Sequence, residues 1–305
     1  MPNLPLDQIN TLLAVVDAGT FDAAARALHV TPSAVSQRIK LLEQRTGRVL
    51  LLRSNPVQVT ESGEVVLRFA RQLAQLERDT SAELGLAGTG RPTQVSIAVN
   101  ADSLATWFLT ALVQVPAELR IFFDLQREDE GRSAQLLRQG LVMAAVTSSP
   151  RPVQGCMVHR LGGMRYQAMA APDFVSRLLS RGPLRNVLAD APVVMFDRKD
   201  DLQERLLHRL ASRAPGPARH YVPASEACVE AVAAGLGWGM IPEAQAAPRR
   251  MDGTLIDLAP EFPIDVPLYW QQWKLDSPAL AALADAVIQT AALALSPDNG
   301  SRPAA

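Results

Sequence analysis

Apolar positions in the first sixty residues recur every three or four places. Leu6, Ile9, Leu12, Leu13 and Val16 share one face and predict an amphipathic helix over 6–18 that stops at Gly19. Thr20 can cap a second, short helix, FDAAARAL, in which Phe21, Ala24, Ala25 and Leu28 lie on one side. The alanines matter because two helices crossing steeply need small side chains at closest approach. After a turn at His29 and Val30, Thr31 supplies a cap and Pro32 sits where a missing N–H costs nothing, so a third helix should begin sharply there. On that helix Val35, Ile39 and Leu42 form a packing face, while Ser33, Ser36, Gln37 and Lys40 form a polar one able to reach base edges. VLLLRSNPVQVTESG, which follows Gly47, reads as a two-stranded wing around Ser54, Asn55 and Pro56.

Charge sharpens this picture. The chain as a whole is formally −1, yet between Arg26 and Thr60 six basic residues face one acid, Glu43. Positive charge is therefore concentrated where a phosphate backbone would lie, and Arg38 and Arg53 join the candidate DNA contacts. A solvated face on a small helical bundle is the bland alternative. It explains a lone arginine but not caps, alanines, basic patch and polar face together.

Beyond the wing the pattern changes twice. Over 61–84, Val66, Phe69, Leu73, Leu76 and Thr80 are spaced three and four apart, as in a short coiled coil, and a helix of that length spans roughly 36 Å. The seam could join two copies of the chain or pack on the chain's own domains. Gly85, Gly88, Gly90 and Pro92 then read as a hinge. From Thr93 strands alternate with helices. VSIAV, IFFDL, VMAAV, YQAMA, PVVMF, MIP and LYWQQW are strand candidates, with helices near 104–113, 133–139, 202–209, 227–234 and 279–294, which predicts open α/β sheets.

FDAAARALHVTPSAVSQRIKLLEQRTGRVLLLR resembles the amino-terminal domain of LysR-type transcriptional regulators. VNADSLATW, REDE, APVVMFDRKDD, SEACVEAVAAGLGWGMIP and LYWQQW are similar to the ArgP/LysG (IciA) subgroup of that family, and the resemblance runs from about Leu4 to about Leu295. It implies a winged helix-turn-helix DNA-binding domain over 1–60, a dimerising linker helix and hinge over 61–91, and an effector-binding domain over 92–300. The last would fold like periplasmic binding proteins, as two α/β subdomains, about 92–163 plus 267–300 and about 164–266, with ligand between them. By the same resemblance the partners are double-stranded DNA, a second copy or three further copies of the chain, and lysine, arginine or a related basic amino acid. In many relatives a second arginine follows the first in the wing, whereas here Arg53 is followed by serine.

Residue chemistry points to the same cleft. NADS follows strand VSIAV directly, placing Asn100, Asp102 and Ser103 where free N–H groups and a helix dipole suit a carboxylate. Ser103, through its N–H and hydroxyl, is the expected carboxylate contact, with Asn100 and Asp102 shaping the turn or receiving an α-ammonium. Asp102 reads equally well as a simple helix cap. Thr147, at the end of VMAAV, can add a hydroxyl. Glu128, Asp129, Asp197 and Glu226, each near a strand end or helix start, are the candidate countercharges for a cationic side chain. Trp107, Trp270 and Trp273 read as core rather than pocket lining.

Other classes fit less well. The chain has no G-x-S-x-G, no G-x-G-x-x-G after a strand, no Walker motif and no H-E-x-x-H, so an enzyme would have to hide its chemistry. Cys156 and Cys228 stand 72 positions apart without a C-x-x-C and read as two ordinary buried thiols; neither metal nor cofactor is expected. The start lacks a basic segment followed by an apolar one, and no 18-residue apolar run occurs, so a cytoplasmic location without membrane contact is expected.

Overall fold

Helix α1 spans Leu6–Ala18 and ends at Gly19 in the left-handed conformation, φ +73°, a position that favours glycine. This computed structural model describes residues 4–84, 93–128, 130–180, 182–210, 216 and 218–297. The expected hinge over 85–92 and the candidate Asp129 lie outside them. Helix α2, Phe21–Ala27, is capped by Thr20, whose hydroxyl accepts the Ala23 N–H at 3.2 Å. Helix α3, Pro32–Thr46, is capped in the same way by Thr31, which accepts from Ala34 at 3.2 Å. Leu12, Val15, Ala24, Ala25, Val35, Ile39 and Leu42 close one core beneath the three helices. Strands β1, Leu51–Leu52, and β2, Gln58–Val59, pair antiparallel as the wing.

Helix α4, Glu61–Glu83, leaves the wing, and its sequence seam splits. Val66 is buried in the core of the DNA-binding helices, and Leu67 and Ala70 are also buried, whereas Val65, Phe69 and Leu76 are 56, 45 and 40% exposed. Leu73 is half-buried and Thr80 is exposed. The reason is geometric: the first turns of α4 pack against α1, so the row free for another helix is rotated one position from 66 to 65.

The remaining chain builds one nine-stranded sheet in the order β4-β3-β5-β11-β6-β9-β7-β8, with β10 pairing to β6. Its strands are β3 Thr93–Val99, β4 Ile121–Arg127, β5 Ala144–Thr147, β6 Cys156–Ala170, β7 Val193–Met195, β8 Arg219–Tyr221, β9 Trp238–Pro242, β10 Ile256–Asp257 and β11 Ile264–Trp273. β3, β4 and β5 are parallel, as are β7, β8 and β9. Strands covered by helices on both faces are apolar throughout, which is why VSIAV reads as a continuous run. β6 and β11 cross both halves antiparallel, with a register shift between Leu268 and Tyr269. Residues 269–272 of β11 pair with β5, and residues 166–169 of β6 pair with β9, so the two long strands carry the chain from one lobe to the other.

Ala101–Ser103 (α5), a π-helical segment Leu104–Phe108, and Leu109–Val113 (α6) follow one another after β3. Further helices are α7 Glu130–Gln139, α8 Pro172–Leu179, α9 Leu184–Val187, α10 Leu202–Arg209, α11 Ser225–Ala233, α12 Glu243–Met251 and α13 Pro278–Ala294. Trp107, Trp270 and Trp273 are buried in the core of the effector domain, and the Phe108 ring lies 5.6 Å from Trp107 and 6.2 Å from Trp270. Among the described residues no helix is long and apolar enough to cross a membrane.

Candidate functional site

The first site is the outer face of α3. Ser33, Gln37 and Lys40 are exposed and Ser36 is half-buried, on the side opposite buried Val35, Ile39 and Leu42. Thr31 and Pro32 are exposed at the helix start, and the Thr31 and Ser33 hydroxyls lie 2.9 Å apart. Arg38 points elsewhere: its guanidinium is 3.8 Å from the Asp7 carboxylate and donates to the Thr11 hydroxyl at 3.4 Å, which holds it against α1. Arg53 is exposed at the wing, with its guanidinium 5.5 Å from the centre of the Phe21 ring. An α-helix with a free polar face, flanked by a basic wing, fits the major groove and the neighbouring phosphates. Gln37→Ala is expected to cost about 1–3 kcal/mol on a cognate duplex and much less on random DNA, as for a lost base contact. Gel shifts on the two duplexes check it; an unchanged affinity ratio would remove Gln37 as a reader.

The second site is a cleft of about 760 Å³ between the two lobes. It lies at the carboxyl ends of the parallel strands, the place where open α/β sheets bind ligands. One wall carries Asn100, Ala101 and Asp102 after β3, Arg127 and Glu128 at the end of β4, and Ser148 after β5. Phe196, Asp197 and residues 199–203 after β7, together with Pro223, Ser225 and Cys228, face it from the other lobe. Tyr166 from β6 donates to Asp102 Oδ2 at 2.6 Å across the junction.

Hydrogen bonds decide which candidates are available. The Asn100 side chain accepts the Ser103 N–H at 3.2 Å, so the donor expected for a ligand carboxylate is already used as a helix cap. Ser103 is fully buried, and its hydroxyl has no hydrogen-bond partner among the described residues. The Thr147 hydroxyl is buried as well, donating to the Ser149 carbonyl at 3.3 Å and accepting from Gln271 at 3.4 Å. Neither residue lines the cleft. Glu226 is exposed on α11 and also lies outside the lining, because on that helix Ser225 and Cys228 take the inward positions. Asp197 does line it, but its Oδ1 accepts the backbone N–H groups of Lys199 and Asp200 at 2.7 and 3.0 Å and closes a turn. Glu128 also lines it, paired with Arg132 at 3.1 Å.

Asp200, which was not singled out from the sequence, occupies the inward position that the Asp197 turn creates. Its carboxylate accepts from Gln203 Nε2 at 3.1 Å, Leu202 N–H at 3.1 Å and Phe196 N–H at 3.3 Å. Burial pushes this carboxyl above the usual carboxylate range, those three hydrogen bonds oppose the shift, and the Asp102 charge from the opposite lobe adds to it. Cys228 lies on the cleft rather than in the core, and burial together with the charges of Asp102 and Asp200 pushes its thiol up to about 12. It is therefore an inert S–H donor, bonded to the Val222 carbonyl at 2.9 Å. Cys156 is a buried free thiol.

A DNA-reading helix joined to a two-lobed ligand cleft defines a ligand-responsive transcriptional regulator. Residues 6–64 match the model of the bacterial regulatory helix-turn-helix proteins of the lysR family, and residues 90–292 match the LysR substrate binding domain. The chain belongs to the LysR family of transcriptional regulators. It is 47% identical to the HTH-type transcriptional regulator LysG of Mycobacterium tuberculosis, over 94% of this chain and 93% of the relative. To the lysine export transcriptional regulatory protein LysG of Corynebacterium glutamicum it is 43% identical, over 95% of this chain and 99% of that one. The structure of full-length Corynebacterium glutamicum LysG with bound effector Arg superposes with a TM-score of 0.82 at 42% identity, covering 96% of this chain and all of that one.

Proposed function

We propose that the effector of this regulator is lysine or arginine, bound in the cleft, and that the genes it controls serve export or metabolism of basic amino acids. The observation that carries the reading is the charge of the cleft: five carboxylates, Asp102, Glu128, Asp197, Asp200 and Asp201, face three cations, Arg127, Lys199 and Arg205. A cationic side chain is accommodated by Asp200 with Asp102, and Arg127 at the end of β4 supplies a cation for the ligand carboxylate. Likeness to an arginine-bound LysG supports the same choice. The protein acts on double-stranded DNA through α3 and the wing, as a cytoplasmic homodimer or homotetramer paired through α4.

Titrating the purified protein with each of the twenty amino acids tests this directly. Lysine and arginine should release heat of binding; a response confined to neutral or acidic amino acids would overturn the assignment. The acidity of Asp200 adds a pH signature. A cationic ligand binds the ionised carboxylate, and burial raises the pH at which that form is lost. Affinity for arginine should therefore weaken as pH falls, starting above the ordinary carboxylate range and approaching about tenfold per pH unit below the Asp200 transition. Asp200→Asn should abolish that dependence; an identical profile in the variant would assign the proton elsewhere.

A further inference from the structure

Helix α7 is tied to a residue of the cleft wall near one end and lies against the linker helix of the DNA-binding module at the other. Glu128, just after β4 and two residues before α7, lines the cleft and pairs with Arg132, on the first turn of α7, at 3.1 Å. Its ten residues span about 15 Å, and its carboxyl end lies against the middle of α4. There Arg68 donates to the Arg138 carbonyl at 3.4 Å and Arg71 donates to the Gln139 carbonyl at 3.3 Å. These are end carbonyls of α7, where the helix dipole is negative and arginines are favourable. The Gln139 amide donates in turn to Glu64 at 2.7 Å. Gly140 closes the contact with φ +69°, and a Cβ there would stand 2.9 Å from the Arg68 Cα, so the backbones meet where only glycine fits.

Arg71 makes one contact more. Its second guanidinium nitrogen holds Asp17, on the last turn of α1, at 2.9 Å, while the arginine itself is only 16% exposed. One planar group thus joins the effector domain, the linker helix and the first helix of the DNA-binding domain. A lysine could not serve two partners in this fork geometry. Resting on the reading that the cleft takes a basic amino acid, we propose that α7 is the strut that carries the state of the cleft to the DNA-binding helices, with Arg71 as the positioning residue that couples them. Closure of the lobes around a cation draws on Glu128 at one end of the strut. The rigid helix passes that displacement to the Arg68 and Arg71 contacts, and through Asp17 it re-aims α1 and the α3 packed on it.

The test uses the full chain, arginine as the probe, and a duplex selected by the wild-type protein from random DNA. In the wild type, arginine should change duplex affinity about tenfold, within the usual range of coupling between sites. In Arg71→Ala the change should shrink to less than about twofold, while arginine affinity by calorimetry stays within about twofold of wild type. Asp17→Asn, at an exposed position that keeps Arg71, should also reduce the response, and Arg71→Lys should not restore it. A full arginine response in both Arg71→Ala and Asp17→Asn overturns the proposal, as does loss of arginine binding itself in Arg71→Ala. Failure of the wild type to bind arginine overturns the effector reading instead. The strut is then scored by amide exchange alone: protection at the end of α7 and in α1 should fall together in Arg71→Ala, and unchanged protection refutes it.

Discussion

Asp200→Asn should weaken lysine and arginine binding by about ten- to a hundredfold, the usual worth of a charge-assisted hydrogen bond. The carboxylate is held by Gln203, Leu202 and Phe196, so its oxygens are fixed before a ligand arrives and the substitution removes charge with little change of shape. Burial disfavours the ionised form while the three donors favour it, and asparagine keeps one acceptor oxygen where two now accept, so thermal stability is measured beside binding and should fall far less than affinity does. Lost binding with largely retained stability separates a ligand contact from a structural one. Asp197→Asn should behave differently, since Asp197 holds the backbone of Lys199 and Asp200, and damage to that turn should weaken every ligand alike. Unchanged lysine affinity in Asp200→Asn, measured by calorimetry, would exclude this carboxylate from the site.

Phe69→Asp combined with Leu76→Asp should break the assembly. Both side chains are large, apolar and substantially exposed on α4, and with Val65 they form a row at helical spacing that no other part of the chain covers among the described residues. Two carboxylates in a helix–helix seam would be buried without partners, a penalty of several kcal/mol, or more than about a hundredfold in the dimer dissociation constant. The protomer should keep its thermal stability because neither position belongs to a core. Sedimentation should report a shift to monomer, with a matching loss of affinity for a two-fold-related duplex. An undiminished dimer that binds DNA fully would rule out α4 as the interface.

The helix-turn-helix was legible because each of its features is local. Caps at Thr20 and Thr31, the glycine stops and the spacing of Val35, Ile39 and Leu42 are set by neighbours within four residues. The first half of β6 was not legible: CMVHR alternates weakly and stays largely exposed, and it is a strand only because β11 pairs along its length. The three-residue strand β8 is too short to show alternation, whereas helix α8 was missed although Phe174, Val175 and Leu178 give it a clear apolar face behind Pro172. In the cleft, proximity to strand ends selected Asp102, Glu128 and Asp197 but could not show which carboxylates the backbone consumes. FDRKDD offered one clue, since an aspartate three residues before another can close a turn on it and aim the second inward. Arg38 misled in the opposite direction. Its place beside Gln37 suggested a phosphate contact, whereas Asp7 and Thr11, on α1, hold it against the protein.

Lysine against norleucine is the most direct measurement of whether the cleft recognises a cationic side chain. The two ligands share a backbone and an aliphatic chain, and only lysine carries the terminal ammonium. Calorimetry on the full-length protein should show lysine binding at least about tenfold more tightly, as an ion pair with Asp200 requires. Equal affinity for the two would contradict the acidic cleft as the seat of effector recognition.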